Sequence, residues 1–110
     1  MIMKIKSIIY VFMFVIIAAI SVSLFWKNVF LLCVLLLVIA FIKHKIIPIK
    51  KELLFFVIGG LIGSSVESVI MLSGPWSYSL NSIINFPLWL PFLWGLAGTL
   101  GISLYQAITE

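Results

Sequence analysis

Glu67 is the residue of this sequence whose chemistry draws attention first, because it is a carboxylate inside a long apolar stretch. An acid within a membrane span is costly, and it usually faces the interior of a helix bundle or a water-filled cavity. Two interpretations stay open. Glu67 either transfers a proton as a general acid, or it is structural, being protonated by burial or paired with Lys27.

Aromatic side chains near Glu67 in sequence are candidates to shape a pocket around it. Residues 73–86 form a stretch of turn formers and aromatics without any charge, which we expect to lie against the membrane surface above Glu67. Tyr78 belongs to this stretch, and Trp94 lies deeper, beside Gly95 in the helix that follows. These two side chains are therefore the candidate partners of Glu67 in a catalytic pocket.

Other kinds of chemistry lack the residues that they need. We find no glycine-rich phosphate loop, no Cys/His metal set and no nucleophile–base pair, so we predict neither a cofactor nor a metal site. Cys33 lies inside an apolar run, where it acts as a small apolar side chain. His44 has no second ligand near it in sequence, and a solvated or headgroup-facing position is expected for it.

The composition requires a membrane around these residues. The 110-residue chain is 65% hydrophobic and only 9% charged, and its mean hydropathy is +1.37. A soluble domain of this size could not bury so much apolar surface. We therefore predict one polytopic membrane domain over residues 1–110, in contact with membrane lipids.

Apolar segments separated by charged or turn-forming residues predict an all-α bundle of four transmembrane helices. About 20 helical residues cross the hydrocarbon core of a bilayer, and the predicted spans are 7–26, 28–43, 53–72 and 88–108. The first segment also resembles a signal peptide. However, its apolar run continues through Trp26, beyond any cleavage site, which favours a span.

The lysines predict the orientation of this bundle. The net charge of +4 comes from seven basic residues, all of them lysine. Lys27 lies on one side of the predicted membrane, and the others lie opposite, at Lys4, Lys6, Lys43, Lys45, Lys50 and Lys51. We predict that the protein lies in the inner, cytoplasmic membrane. The positive-inside rule then places both of its termini in the cytoplasm. We expect the lysines to set the orientation of the helices and to contact anionic lipid headgroups. No nucleic-acid partner is expected.

Two further groups of residues fit this topology. Indole rings favour the headgroup level, and three tryptophans fall near the predicted outer interface: Trp26, Trp76 and Trp89. Small residues let membrane helices approach closely, and those predicted to pack helices are Gly59, Gly60, Gly63, Ser64, Gly95 and Gly98. The small-residue face is expected to meet another helix of this chain, a partner protein or a second copy.

The C-terminal half, from about Leu53 to Leu104, resembles a family of short uncharacterised multi-pass bacterial inner-membrane proteins. The residues that carry the likeness are Gly60, Gly63, Glu67, Gly74, Trp76 and Tyr78, followed by Pro87-Leu88-Trp89-Leu90-Pro91 and Trp94. That family usually has Asp as its membrane acid, so Glu67 is a departure from its pattern. A looser similarity links the same residues to membrane-embedded carotenoid-modifying proteins. The family likeness implies the topology and no activity.

Three functions remain open from the sequence. The first is a structural or accessory role in the membrane, in which Glu67 and the small-residue face bind a helix. The second is an enzyme acting on an apolar lipid or isoprenoid, with Glu67 as general acid. The third is a proton-coupled exporter resembling the small multidrug transporters, which have their acid in the first helix rather than the third. The sequence does not choose between the first two and places the exporter third. We take the accessory role as the prediction and keep the lipid enzyme as the alternative.

Overall fold

The described part of the chain is built from helices. The computed structural model describes residues 2–74 and 87–109, which form α1 (Ile2–Phe25), α2 (Val29–Ile46), α3 (Glu52–Met71) and α4 (Leu90–Thr109). For these residues, the prediction of an all-α fold with four helices is therefore confirmed. The longest dimension of the molecule is 44 Å, close to the thickness of a bilayer with its headgroups, about 40–45 Å.

Three helix ends differ from the predicted bounds by two residues or more, and the first is the start of α1, at Ile2 rather than at 7. The second is the end of α2, which continues past the predicted end at 43 to Ile46 and has three basic residues in its last turn, Lys43, His44 and Lys45. Positive charge at a helix C-terminus is favourable because the backbone carbonyls there are partly negative. α4 begins at Leu90, after a turn in which the Leu90 N–H donates to the Pro87 carbonyl at 3.1 Å.

A short connection makes α1 and α2 a hairpin. The backbone N–H of Asn28 donates to the Phe25 carbonyl at 2.9 Å, which closes the end of α1. The Asn28 side chain then accepts a hydrogen bond from the Leu31 N–H at 3.3 Å and so caps the start of α2. One residue thereby ends the first helix and starts the second.

α4 occupies the centre of the bundle. It packs against α1, α2 and α3, and its contact with α3 is the most extensive between any two helices. The apolar core combines side chains from all four helices, among them Phe14 of α1, Leu36 of α2, Met71 of α3 and Leu96 of α4. Large apolar side chains also cover the outside, including Phe30 and Leu53. Apolar groups on both sides of the helices are expected of a protein that lies in lipid.

Three of the four helices are long and apolar enough to cross a membrane, and they are α1 from Ile5 onward, α2 and α3. α4 has the length but not the apolarity, and it is not among these candidate spans. Its buried positions include Gly95, Thr99 and Ser103. Because these face other helices, they do not need the apolarity that contact with lipid demands.

Candidate functional site

Glu67 lies beside Trp94 at the contact between α3 and α4. The Trp94 indole Nε1 donates a hydrogen bond to Glu67 Oε2 at 2.6 Å. Gly63, one helical turn before Glu67, leaves space for the indole, since a Cβ on Gly63 would overlap the ring of Trp94. The indole therefore passes over Gly63 to reach the carboxylate. An indole N–H that bonds to a carboxylate satisfies a polar group that an apolar environment would otherwise leave costly.

The glycines of α3 and α4 bring the two backbones together next to this hydrogen bond. A Cβ on Gly60 would lie 2.5 Å from the Pro91 carbonyl oxygen, and one on Gly95 would lie 2.5 Å from the Phe56 carbonyl oxygen. Gly59 and Gly98 face each other with more room, as the closest neighbour of a Cβ on either is at 3.5 Å or more. Two glycines, one on each helix, thus set the closest approach.

Ser64 and Lys27 are two further residues that the sequence connects with Glu67. Ser64 is buried on the same face of α3 as Gly60. Lys27, the proposed ionic partner of Glu67, lies with its Nζ 5.3 Å from the centre of the Trp26 ring. Within residues 2–74 and 87–109, the ion pairs that form involve Glu52 and not Glu67. The pairing with Lys27, one of the alternatives that the sequence left open for Glu67, is not among these ion pairs, whereas the hydrogen bond from Trp94 is present.

An apolar groove runs between α1 and α4 and ends near the same indole. Its volume is about 630 Å³, and its walls include Val15 and Ala18 from α1 and Trp94 and Leu100 from α4. Trp94 is 39% exposed, and it forms part of the groove wall while its Nε1 bonds to Glu67. Glu67 itself does not line the groove. The acid and the groove therefore share one neighbour, Trp94.

The tryptophans predicted at the interface have different surroundings. Trp26 is half-buried beside Lys27, at the short turn between α1 and α2. Trp89 is 4% exposed and belongs to the apolar core, and its place at the outer interface stays a prediction. It lies directly before Leu90, the first residue of α4. Trp76 and Tyr78 lie outside the described residues.

A second polar cluster, which the sequence reasoning missed, joins α2 to α3. The Lys43 Nζ is 2.7 Å from Glu52 Oε2, and the exposed fractions of these side chains are 0% and 8%. Glu52 Oε1 accepts a hydrogen bond from the Ile49 N–H at 3.1 Å and lies 2.8 Å from His44 Nδ1. The His44 side chain remains 50% exposed. His44 is thus not simply solvated, as was expected of it, and Lys43 is buried in an ion pair.

The backbone between the two helices has to turn sharply to form this cluster. Lys51, just before α3, has a φ of 55°, in the left-handed region that residues other than glycine rarely adopt. This turn places the Glu52 carboxylate beside the last turn of α2. A signal was present in the sequence, because Glu52 is the only acid close to four lysines and lies nine residues from Lys43.

The described residues hold no group of three or more His, Cys, Asp or Glu side chains that could bind a metal ion together. Comparison of the chain with known protein families, curated proteins and solved structures found no significant match. The family resemblance suggested by the C-terminal half therefore stays a prediction, and any function has to be argued from the geometry.

Proposed function

We propose that this chain is a small multi-pass protein of the cytoplasmic membrane with a structural or accessory role. The observation that carries the proposal is the hydrogen bond from Trp94 Nε1 to Glu67 Oε2 at the contact of α3 with α4. This hydrogen bond gives Glu67 a role in helix packing, so that no reaction is needed to explain the acid. One carboxylate without a partner acid, base or metal set does not define a reaction.

In the proposed topology all four helices cross the membrane, and both termini are cytoplasmic. α4 supports this because it packs against the three candidate spans, and it has 20 residues, the length of α3. A helix shielded by its neighbours crosses with a less apolar composition than a lipid-exposed one needs. The distribution of the seven lysines gives the direction.

Labelling of single cysteines in intact cells tests this topology. With Cys33 replaced by Ala, we expect a membrane-impermeant maleimide to label Ser73→Cys and to label Pro48→Cys only after the cells are opened. A protease site added at the C-terminus should also be cut only in opened cells, because α4 returns the chain to the cytoplasm. Cleavage of that site in intact cells would show that α4 does not cross.

The role of Glu67 is tested by substitutions that separate hydrogen bonding from acidity. Glu67→Gln keeps an oxygen that accepts from Trp94 Nε1, so we expect it to support growth as the unaltered protein does in a strain lacking the gene. Glu67→Leu leaves the indole N–H without this acceptor, and we expect it to cost about 1–3 kcal/mol of unfolding free energy. Unfolding in mixed micelles, followed by circular dichroism, measures the loss. A Glu67→Gln protein that folds but fails to support growth would contradict a purely structural role.

A second candidate function is an enzyme acting on an apolar lipid or isoprenoid, with Glu67 as general acid. The observation that favours it is Trp94, which forms part of the wall of the 630 Å³ groove and also bonds to Glu67. A chain bound in the groove would lie one indole ring away from the acid. If this function holds, Glu67→Gln changes the lipid composition of cells as gene loss does, while the protein stays folded.

A further inference from the structure

α2 and α3 diverge from the point where the Lys43–Glu52 pair joins them. They are not among the helix pairs that pack extensively along their lengths. A pocket of about 500 Å³ lies between them, and its apolar walls include Leu37 and Phe41 from α2 and Leu53 and Phe56 from α3. Phe41 and Leu53 are largely exposed, and in the proposed membrane topology they face lipid. The pocket is therefore open to an apolar chain entering from the bilayer.

The end of this pocket nearest the loop is polar and carries positive charge. His44, Lys51 and Glu52 line it. The Glu52 charge is matched by Lys43 at 2.7 Å, and its second oxygen already contacts His44 and the Ile49 N–H. Lys51 lies at the pocket and is exposed, so the charge that a ligand would meet there is positive.

We propose that this pocket binds one anionic phospholipid. The phosphate lies against Lys51 and His44, and one acyl chain follows the walls formed by Leu37, Phe41 and Phe56. Basic pockets between membrane helices on the cytoplasmic side are suited to anionic headgroups. The volume of about 500 Å³ is within the range of ligand sites, about 300–1,000 Å³. A second protein helix would fit the apolar walls but would leave the basic end unmatched.

The choice of ligand is tested on the purified full chain in detergent. Titration with phosphatidylglycerol and with phosphatidylcholine of the same acyl chains, read by native mass spectrometry, should show tighter binding of the anionic lipid. Equal binding of the two lipids would overturn the proposal. Displacement of phosphatidylglycerol by inorganic phosphate at equal concentration would also overturn it, because the site would then take a free anion without its acyl chain.

The location of the site is tested with a matched pair of lysine variants. Lys51→Gln should weaken phosphatidylglycerol binding about fivefold, the factor that one lysine near an anionic headgroup contributes. Lys27→Gln removes the same charge at the other end of the helices and should leave binding unchanged. Equal weakening by both variants would mean general charge attraction and would overturn the pocket.

A third variant tests whether the acyl chain occupies the pocket. Leu37→Trp adds bulk at a wall position that is exposed rather than in the core, so the bundle should keep its helical circular dichroism. We expect this variant to weaken phosphatidylglycerol binding, and unchanged binding by the folded variant would overturn the proposal. If a variant does not fold, the comparison of the two lipids on the unaltered protein still decides.

Discussion

Replacing Lys43 by methionine is expected to lower the free energy of unfolding by about 3–5 kcal/mol, the cost of removing one partner of a buried ion pair. The Lys43 side chain has no exposed surface, and Glu52 keeps only 8% exposed. Methionine retains most of the volume of lysine but leaves the Glu52 carboxylate without its matching charge. Unfolding of the purified protein in mixed micelles, followed by circular dichroism, measures the change.

Two further proteins separate this effect from a general loss of charge. Lys50→Met removes a lysine from the loop between α2 and α3, at an exposed position, and it should change stability by about 0.5 kcal/mol or less. The double variant Lys43→Met with Glu52→Gln removes both charges and keeps an oxygen for the Ile49 N–H. We expect it to be more stable than Lys43→Met alone. If Glu52→Gln gives no recovery in that background, the ion pair is not what holds α2 to α3.

Replacing Gly60 by alanine is expected to lower the free energy of unfolding by about 1–3 kcal/mol, the usual cost of overpacking a close contact. The added Cβ would lie 2.5 Å from the Pro91 carbonyl oxygen, and a backbone atom cannot turn aside as a side chain can. α3 and α4 must therefore move apart. Gly95→Ala should have a similar effect, because its Cβ would lie 2.5 Å from the Phe56 carbonyl oxygen.

Gly59 provides the matched control in the same helix. A Cβ there would have its closest neighbour, the Trp94 carbonyl oxygen, at 3.5 Å, an ordinary contact. Gly59→Ala should therefore be neutral or stabilising, since alanine favours a helix over glycine by about 0.5–1 kcal/mol. The double variant Gly60→Ala with Gly95→Ala should cost less than the two single losses added, because helices already separated by one Cβ have room for the other. Equal stability of Gly60→Ala and Gly59→Ala would contradict this picture of the contact.

Much of the fold follows from local patterns in the sequence. Four helices were predicted because apolar runs of span length alternate with turn formers, and each of these patterns acts over a few neighbouring residues. The extension of α2 to Ile46 was missed. The lysines at the end of α2 are typical of a loop. Burial of Lys43 costs free energy, and only the nearby Glu52 carboxylate offsets that cost.

The candidate site, like the fold, could be predicted only in part from the sequence. Glu67 and the glycines of α3 and α4 could be selected from residue type alone, because an acid within a predicted span is rare and small residues let helices approach closely. Their partners could not be selected in this way. Whether Glu67 meets Lys27 or Trp94 depends on which helix α3 packs against, and that is α4.

By itself, the amino-acid sequence predicted a membrane protein and the four helices of the described residues, since composition and periodicity are properties of the chain before it folds. Only the tertiary structure decided that α4 is central, that Trp89 is buried and that Glu52 joins Lys43. The physical reason is that burial and ion pairing depend on which side chains of distant segments meet. That choice is made by the packing of whole helices and not by any short segment.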